Sequence, residues 1–121
     1  VFDGFIDRFP NLKIIAAHAG GAIPYLSARL DIFHELSEPC REVISDPPSS
    51  YLRRIYYDAT VYQLESLQQC INVGGADRIM FGSDYPHTTG DMKGCLARID
   101  ALPADQRAAI RGGNARRIFG L

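Results

Sequence analysis

Hydrophobic positions along the chain follow two spacings, and each spacing predicts one kind of element. Short, mostly apolar runs at residues 12–17, 55–57 and 78–81, interrupted only by Lys13 and opened in the last case by Arg78, are typical of strands buried on both faces of a sheet. Longer stretches with an apolar residue every three or four positions predict amphipathic helices. We expect these helices at residues 1–9, 23–36, 64–73, 92–101 and 114–119, with a further one starting at residue 103.

Each predicted strand is followed by a polar loop and then by a helix. Three such units in succession predict an α/β fold with a parallel sheet covered by helices. We expect one domain over residues 1–121. Residues 37–50 carry three prolines and are predicted to form an irregular loop, and Gly112-Gly113 is expected to interrupt the last helical region, with Asn114 capping the final helix.

Composition narrows the classes of partner. The 121 residues carry 13 basic and 14 acidic side chains, a formal net charge of −1, which gives no electrostatic reason to bind nucleic acid or a membrane. Three widely spaced cysteines predict reduced thiols rather than a disulfide framework, and no apolar run approaches the roughly 20 residues of a membrane span. We therefore expect a cytoplasmic protein whose partners are small, roughly neutral ligands or protein surfaces, with a small-molecule substrate as the first choice. Because the chain opens at Val1 within a predicted helix, we also expect its natural N-terminus to lie upstream.

Three polar side chains, those of His18, Asp58 and Asp84, come directly after the three predicted strands. The carboxyl ends of parallel strands meet at one edge of a sheet, so we expect these side chains to converge there. A histidine beside a carboxylate can bind a divalent metal or act as a general base. The structural alternatives are a backbone-bonded neutral His18, a turn-capping Asp84, and an Asp58 that caps its loop with Thr60 or orients a neighbour.

Residues next to these positions are candidates for contacts with substrate. Gly20 and Gly21 follow His18 and permit a tight turn in which the backbone approaches a ligand closely. His87 lies in the loop after Asp84 and either reaches substrate or is solvated. We expect His34, late in an amphipathic helix, to be a surface residue that interacts with the helix dipole.

Four segments in this order resemble the C-terminal part of the amidohydrolase-related metal enzymes, in particular the group that includes aminocarboxymuconate-semialdehyde decarboxylase. They read Phe-Pro-Asn-Leu-Lys-Ile-Ile-Ala-Ala-His-Ala-Gly-Gly at 9–21, Tyr-Asp-Ala at 57–59, Arg-Ile-Met-Phe-Gly-Ser-Asp-Tyr-Pro at 78–86 and Asn-Ala-Arg-Arg-Ile-Phe at 114–119. The resemblance covers nearly the whole chain. It implies that the three strands are about the sixth to eighth of a TIM-like (β/α)8 barrel.

The same resemblance implies a chemistry. His18 matches a histidine beside the metal that handles the proton of metal-bound water or of substrate, and Asp84 matches an aspartate that contacts the metal. We expect a divalent metal, with zinc as the first choice and manganese as the alternative, because both suit these residue types. The implied function is that of a metal-dependent hydrolase, or of a non-oxidative decarboxylase, acting on a small carboxylated or cyclic substrate.

One departure from the family pattern limits what this chain does alone. The family's His-x-His pair and a further ligand histidine are expected upstream of Val1, and nothing in these 121 residues replaces them. We therefore expect an active parent enzyme and a weakly metal-binding, inactive chain. The alternative is a non-catalytic α/β module that forms a homo-oligomer to cover its open sheet edges.

Overall fold

The sheet has three strands, all parallel, in the order β1-β2-β3. The computed structural model describes all 121 residues of the sequence, and its strands are β1 (Ile15–Ala16), β2 (Tyr56–Asp58) and β3 (Ile79–Met80). Ile15 pairs with Tyr56, and Tyr57 pairs with Ile79. The predicted parallel sheet is confirmed. β1 and β3 are shorter than their predicted runs, whereas β2 is as long as its run and begins one residue later.

Eight α-helices surround this sheet. They are α1 (Phe5–Arg8), α2 (Ile23–Leu36), α3 (Glu38–Val43), α4 (Pro48–Leu52), α5 (Leu64–Gly74), α6 (Met92–Asp100), α7 (Ala104–Ala108) and α8 (Asn114–Phe119). Shorter turns lie at His18–Gly20 and Ala76–Arg78, and a π-helical segment spans Ala109–Gly113. None of the helices combines the length and the apolar character that a membrane crossing requires.

Two of the predicted elements are wrong in their extent. The helix predicted at 1–9 is only four residues long, because the left-handed backbone of Gly4 (φ +70°) precedes its first residue. Residues 37–50 are not an irregular loop, since they contain α3 and the start of α4. Pro39 and Pro48 lie in the first turns of these helices, where a missing N–H costs no hydrogen bond.

The Tyr57 ring on the central strand is tightly packed in the core. It is fully buried, and its hydroxyl donates a hydrogen bond of 2.8 Å to the carbonyl of Leu52. A Cβ atom at Gly20 would lie 2.9 Å from this ring, and one at Gly74 would lie 2.5 Å from it. The ring is therefore wedged between the turn after β1 and the last residue of α5.

Cys70 lies in the core behind the sheet. Burial raises the pKa of its thiol to about 12, with a smaller contribution from the negative charge of Asp58. At neutral pH the thiol is therefore protonated and a poor nucleophile. This fits a structural cysteine, and the structure contains no disulfide.

Two side chains differ from their predicted roles. Asn114 does not cap α8; it lies within the helix, is buried, and donates from Nδ2 to the carbonyl oxygens of Ala76 (2.7 Å) and Ile79 (2.6 Å). His34 is not a surface residue, because its ring is buried and its Nε2 lies 2.8 Å from the carbonyl oxygen of Ile44. Both side chains are thus buried polar groups that are satisfied by backbone carbonyls.

Candidate functional site

The turn after β1 presents His18 in an unusual backbone conformation. His18 and Ala19 have φ values of +55° and +52°, in the left-handed region that side chains with a Cβ rarely adopt. Such a conformation costs about 1–2 kcal/mol per residue. Two backbone hydrogen bonds close the turn, from Gly20 to Ala17 (3.0 Å) and from Gly21 to His18 (2.8 Å). Strain of this kind concentrates at functional sites.

The carboxylate of Asp58 supports this turn from the central strand. Its Oδ1 atom accepts hydrogen bonds from the backbone N–H of Ala19 (3.2 Å) and of Thr60 (2.9 Å). Asp58 thus performs both structural roles considered from the sequence, since it caps its own loop with Thr60 and orients a neighbouring segment. The neighbouring segment is the turn that carries His18.

The loop after β3 carries Asp84, also with a left-handed backbone (φ +60°). Asp84 Oδ2 accepts a hydrogen bond of 3.2 Å from the Thr89 hydroxyl, whereas Oδ1 accepts none. His87 Nδ1 lies 2.9 Å from the same hydroxyl and 3.9 Å from Asp84 Oδ2. Thr89 therefore links His87 to Asp84, and one carboxylate oxygen stays available for another donor or a cation.

This loop is closed mainly by its own hydrogen bonds. The Asp91 amide donates to the Ser83 carbonyl (3.0 Å), and the Tyr62 hydroxyl donates to the Thr89 carbonyl (2.8 Å). Asp91 also caps α6 by accepting from the Gly94 amide at 2.8 Å. Tyr62 and Asp91 were not among the predicted site residues, although an aspartate directly before the predicted start of a helix is an N-cap signal.

An ion pair completes the closure of the loop. Arg98 Nη2 donates to Asp91 Oδ2 at 2.7 Å. This hydrogen bond, together with the one from Gly94, lowers the pKa of the Asp91 carboxyl below its ordinary value. Arg98 also approaches the Tyr62 carbonyl at 3.4 Å, so it connects the loop after β2 with the start of α6.

An open cavity of about 680 Å³ lies beside His18, between the start of α2 and the loop after β2. Its lining combines apolar and polar residues and includes Gly21. The other lining residues are Ala19, Pro24, Tyr25, Thr60, Val61, Tyr62, Gln63, Glu65, Ser66 and Gln69. Gly20 is not among them. A glycine is needed at this position because a Cβ atom would meet the Tyr57 ring and because the backbone has a φ of +78°. The sequence pattern did not indicate that the polar residues Glu65, Ser66 and Gln69 of α5 line a cavity.

The predicted site residues therefore fall into two groups at one edge of the sheet. His18 and Gly21 border the cavity, whereas Asp84 and His87 lie in the loop after β3 and are not part of its lining. β2 lies between the two groups, and no hydrogen bond or ion pair joins His18 to Asp84. Asp58 is the last residue of β2 and therefore lies between the two groups.

The donor set for a metal is incomplete within this chain. Imidazole nitrogen and carboxylate oxygen are suitable ligands for zinc or manganese. A catalytic zinc site usually has three protein ligands, however, and the structure contains no cluster of three or more His, Cys, Asp or Glu side chains that could bind an ion. His18 and Asp84 fit a part of such a site and do not form one alone.

A family model described as amidohydrolase matches residues 1–121. The chain belongs to the amidohydrolase family. One relative is the 2-amino-3-carboxymuconate-6-semialdehyde decarboxylase of Dictyostelium discoideum, which is 29% identical over 124 residues covering 100% of this chain and 34% of the relative. The resemblance identified from the four sequence segments is thereby confirmed.

Two solved structures share the fold. The 5-carboxyvanillate decarboxylase of Sphingomonas paucimobilis is 33% identical with a TM-score of 0.82, over 99% of this chain and 37% of its own. The dihydroxybenzoic acid decarboxylase of Polaromonas sp. was solved with bound manganese and the inhibitor 2-nitroresorcinol. It is 26% identical with a TM-score of 0.84, over 99% of this chain and 37% of its own.

This chain thus spans about a third of the length of the relatives that it matches. Its three parallel strands and their helices form part of a TIM-like (β/α)8 barrel, as the family resemblance implied.

Proposed function

We propose that the full-length protein carrying this chain is a divalent-metal-dependent, non-oxidative decarboxylase of small aromatic or unsaturated carboxylic acids. The observation that supports this most directly is the family match over residues 1–121, with relatives named as decarboxylases of such acids. A solved relative with bound manganese favours that metal over zinc. We prefer decarboxylation to hydrolysis because these relatives are named as decarboxylases.

In this proposal His18 transfers the proton. The bond between the substrate's carboxylate and its carbon breaks, CO₂ leaves, and the electron pair left on carbon takes up one proton to form a C–H bond. His18 borders the cavity, and an imidazole can donate a proton near neutral pH. Its position in a closed, strained turn restricts the directions in which the ring can approach a ligand.

Asp84 would provide one carboxylate ligand to the metal, which when bound holds the substrate and stabilises developing negative charge. Its Oδ1 atom accepts no hydrogen bond and its Oδ2 atom is oriented by Thr89. His87 is well exposed, and we propose that it contacts substrate from the outer side of the loop. Gly21, and Gly20 through the shape of the turn, would allow substrate to approach the backbone.

The direct test uses the full-length protein, stripped with a chelator and then reloaded with manganese or zinc. We expect metal-dependent CO₂ release from at least one of 2,6-dihydroxybenzoate and 5-carboxyvanillate. His18→Asn should lower kcat about 10²- to 10⁴-fold. Asp84→Asn should weaken metal binding measured by calorimetry, whereas Asp105→Asn, which alters an exposed carboxylate on α7, should change neither property.

Two results would contradict the proposal. One is a metal-loaded protein that releases no CO₂ from these acids but hydrolyses amides or esters. The other is metal binding that is identical in the wild-type protein and in Asp84→Asn.

Self-association is a second candidate function, favoured by one observation. β1 is an edge strand of the three-stranded sheet, and the apolar side chains of Ile15 on this strand and of Leu12 before it are about half exposed. If a second copy covers this edge, Ile15→Lys should convert a dimer of the 121-residue chain into a monomer in light scattering. Tyr25→Lys, at an exposed position on α2, is the matched control. A wild-type chain that is monomeric would contradict this candidate.

A further inference from the structure

Asp58 occupies a special place at the edge of the sheet where the candidate site lies. It ends the central strand β2, so it lies between the turn that carries His18 and the loop that carries Asp84. On one side its Oδ1 atom accepts from the amide of Ala19, the residue directly after His18. On the other side a Cβ atom at Gly82 would lie 2.9 Å from Asp58 Cβ.

We infer that Asp58 is a positioning residue that fixes His18 in its left-handed conformation. His18 and Ala19 both have positive φ values, and such a conformation persists only when surrounding groups stabilise it. The hydrogen bond from Ala19 to Asp58 is the one hydrogen bond that the backbone of this turn makes with a side chain outside it. The inference rests on the proposed role of His18, because it explains how that imidazole keeps its orientation over the cavity.

A purely local role in capping does not account for this geometry. The hydrogen bond from Thr60 satisfies the loop after β2, and a serine or threonine side chain could also cap that loop. The same oxygen atom also reaches the amide of Ala19, 39 residues away in the sequence. Gly82 leaves space for the Asp58 side chain, since any larger residue there would contact both Asp58 and Thr60.

What Asp58 supplies in this role is an acceptor atom rather than a charge. Asn has the same shape and an oxygen that can accept from both amides, so Asp58→Asn should retain at least about a third of the wild-type kcat. Asp58→Leu keeps the branched shape without any acceptor. It should lower kcat roughly 10- to 100-fold with little change in KM, because a misplaced proton donor affects the chemical step more than binding.

Amide hydrogen exchange provides a readout that does not depend on the reaction. In Asp58→Leu the Ala19 amide should exchange about tenfold faster than in the wild-type protein, the value expected for one lost hydrogen bond. In Asp58→Asn and in the control Asp105→Asn it should exchange at the wild-type rate. If Asp58→Leu does not fold, Asp58→Ser replaces it, because its shorter side chain does not reach the Ala19 amide.

The outcomes separate this inference from the proposed function. The positioning role would be overturned if the Ala19 amide exchanged at the wild-type rate in Asp58→Leu. It would also be overturned if Asp58→Asn and Asp58→Leu lowered kcat equally. A full-length protein without decarboxylase activity would overturn the proposed function alone, since the exchange measurements would still show whether Asp58 fixes the turn.

Discussion

The two segments that carry the candidate site residues are stabilised in opposite ways. The turn at His18–Gly20 is short, strained and dependent on distant residues: Asp58 binds its backbone and the Tyr57 ring packs against Gly20. The loop around Asp84 is longer and closes largely through hydrogen bonds among residues 83–91. The comparison indicates that His18 is oriented by the sheet, whereas Asp84 is oriented by its own loop.

Gly20→Ala should have the largest effect, because it changes the turn that depends on the core. A methyl group there would meet the buried Tyr57 ring at 2.9 Å in a backbone with φ +78°. We expect a loss of about 2–5 kcal/mol in the free energy of unfolding, combining left-handed strain and overpacking. Urea denaturation measures it. Gly112→Ala, where φ is 178° and no atom lies nearby, should cost far less. Similar losses in both variants would contradict the proposed wedge.

Thr89→Val should have the next largest effect, on metal affinity rather than on stability. Valine keeps the shape of the side chain and removes the hydroxyl between His87 and Asp84. If Asp84 binds metal, the loss of this orienting hydrogen bond should weaken manganese binding by the full-length protein about 10-fold. Calorimetry measures the affinity. Thr88→Val, one residue earlier, is the control, and equal affinity in the two variants would show that the hydroxyl is not needed.

Tyr62→Phe should have a smaller effect, confined to the loop after β3. The lost hydrogen bond to the Thr89 carbonyl is exposed, so we expect a cost of about 0.5–1 kcal/mol. Hydrogen exchange should become faster at the amides of His87, Gly90 and Asp91 and remain unchanged at Gly20. Faster exchange in both regions would mean that the two segments are not independently stabilised.

The smallest expected effect is the change with pH in the contribution of Asp91 to stability. Because the hydrogen bond from Arg98 lowers the pKa of this carboxyl in the folded chain, its stabilising contribution is present above the ordinary carboxyl pKa of about 4. It is lost as the pH falls toward the lower folded value. Asp91→Ala should therefore lower Tm at pH 7, and the difference from wild type should shrink below about pH 4. A difference that is constant between pH 7 and pH 3 would contradict this account.

The sequence predicted those elements whose signals are local. The bounds of α2 and the start of α5 agree with the hydrophobic spacing, and the parallel order follows from the three strand–loop–helix units. The sequence also placed His18 and Asp84 at strand ends. The prediction of an irregular loop at residues 37–50 was wrong, because Pro39 and Pro48 are compatible with the first turn of a helix.

Features that depend on contacts distant in the sequence could not be predicted. Burial of His34 requires the Ile44 carbonyl, and the role of Asn114 requires the carbonyls before and within β3. The link between Asp58 and Ala19 likewise exists only once β1 and β2 are paired. Periodicity identifies which face of an element is apolar, but it does not identify which polar atoms meet across the sheet.

The Tyr57 ring between Gly20 and Gly74 also bears on how proteins with this fold can diversify. Side chains larger than hydrogen are sterically blocked at both glycines, on opposite edges of one aromatic ring. Tyr25 and Tyr62, in contrast, border the cavity and are largely exposed. New ligand preferences could therefore arise by substitution along the cavity wall without disturbing the backbone that presents the imidazole.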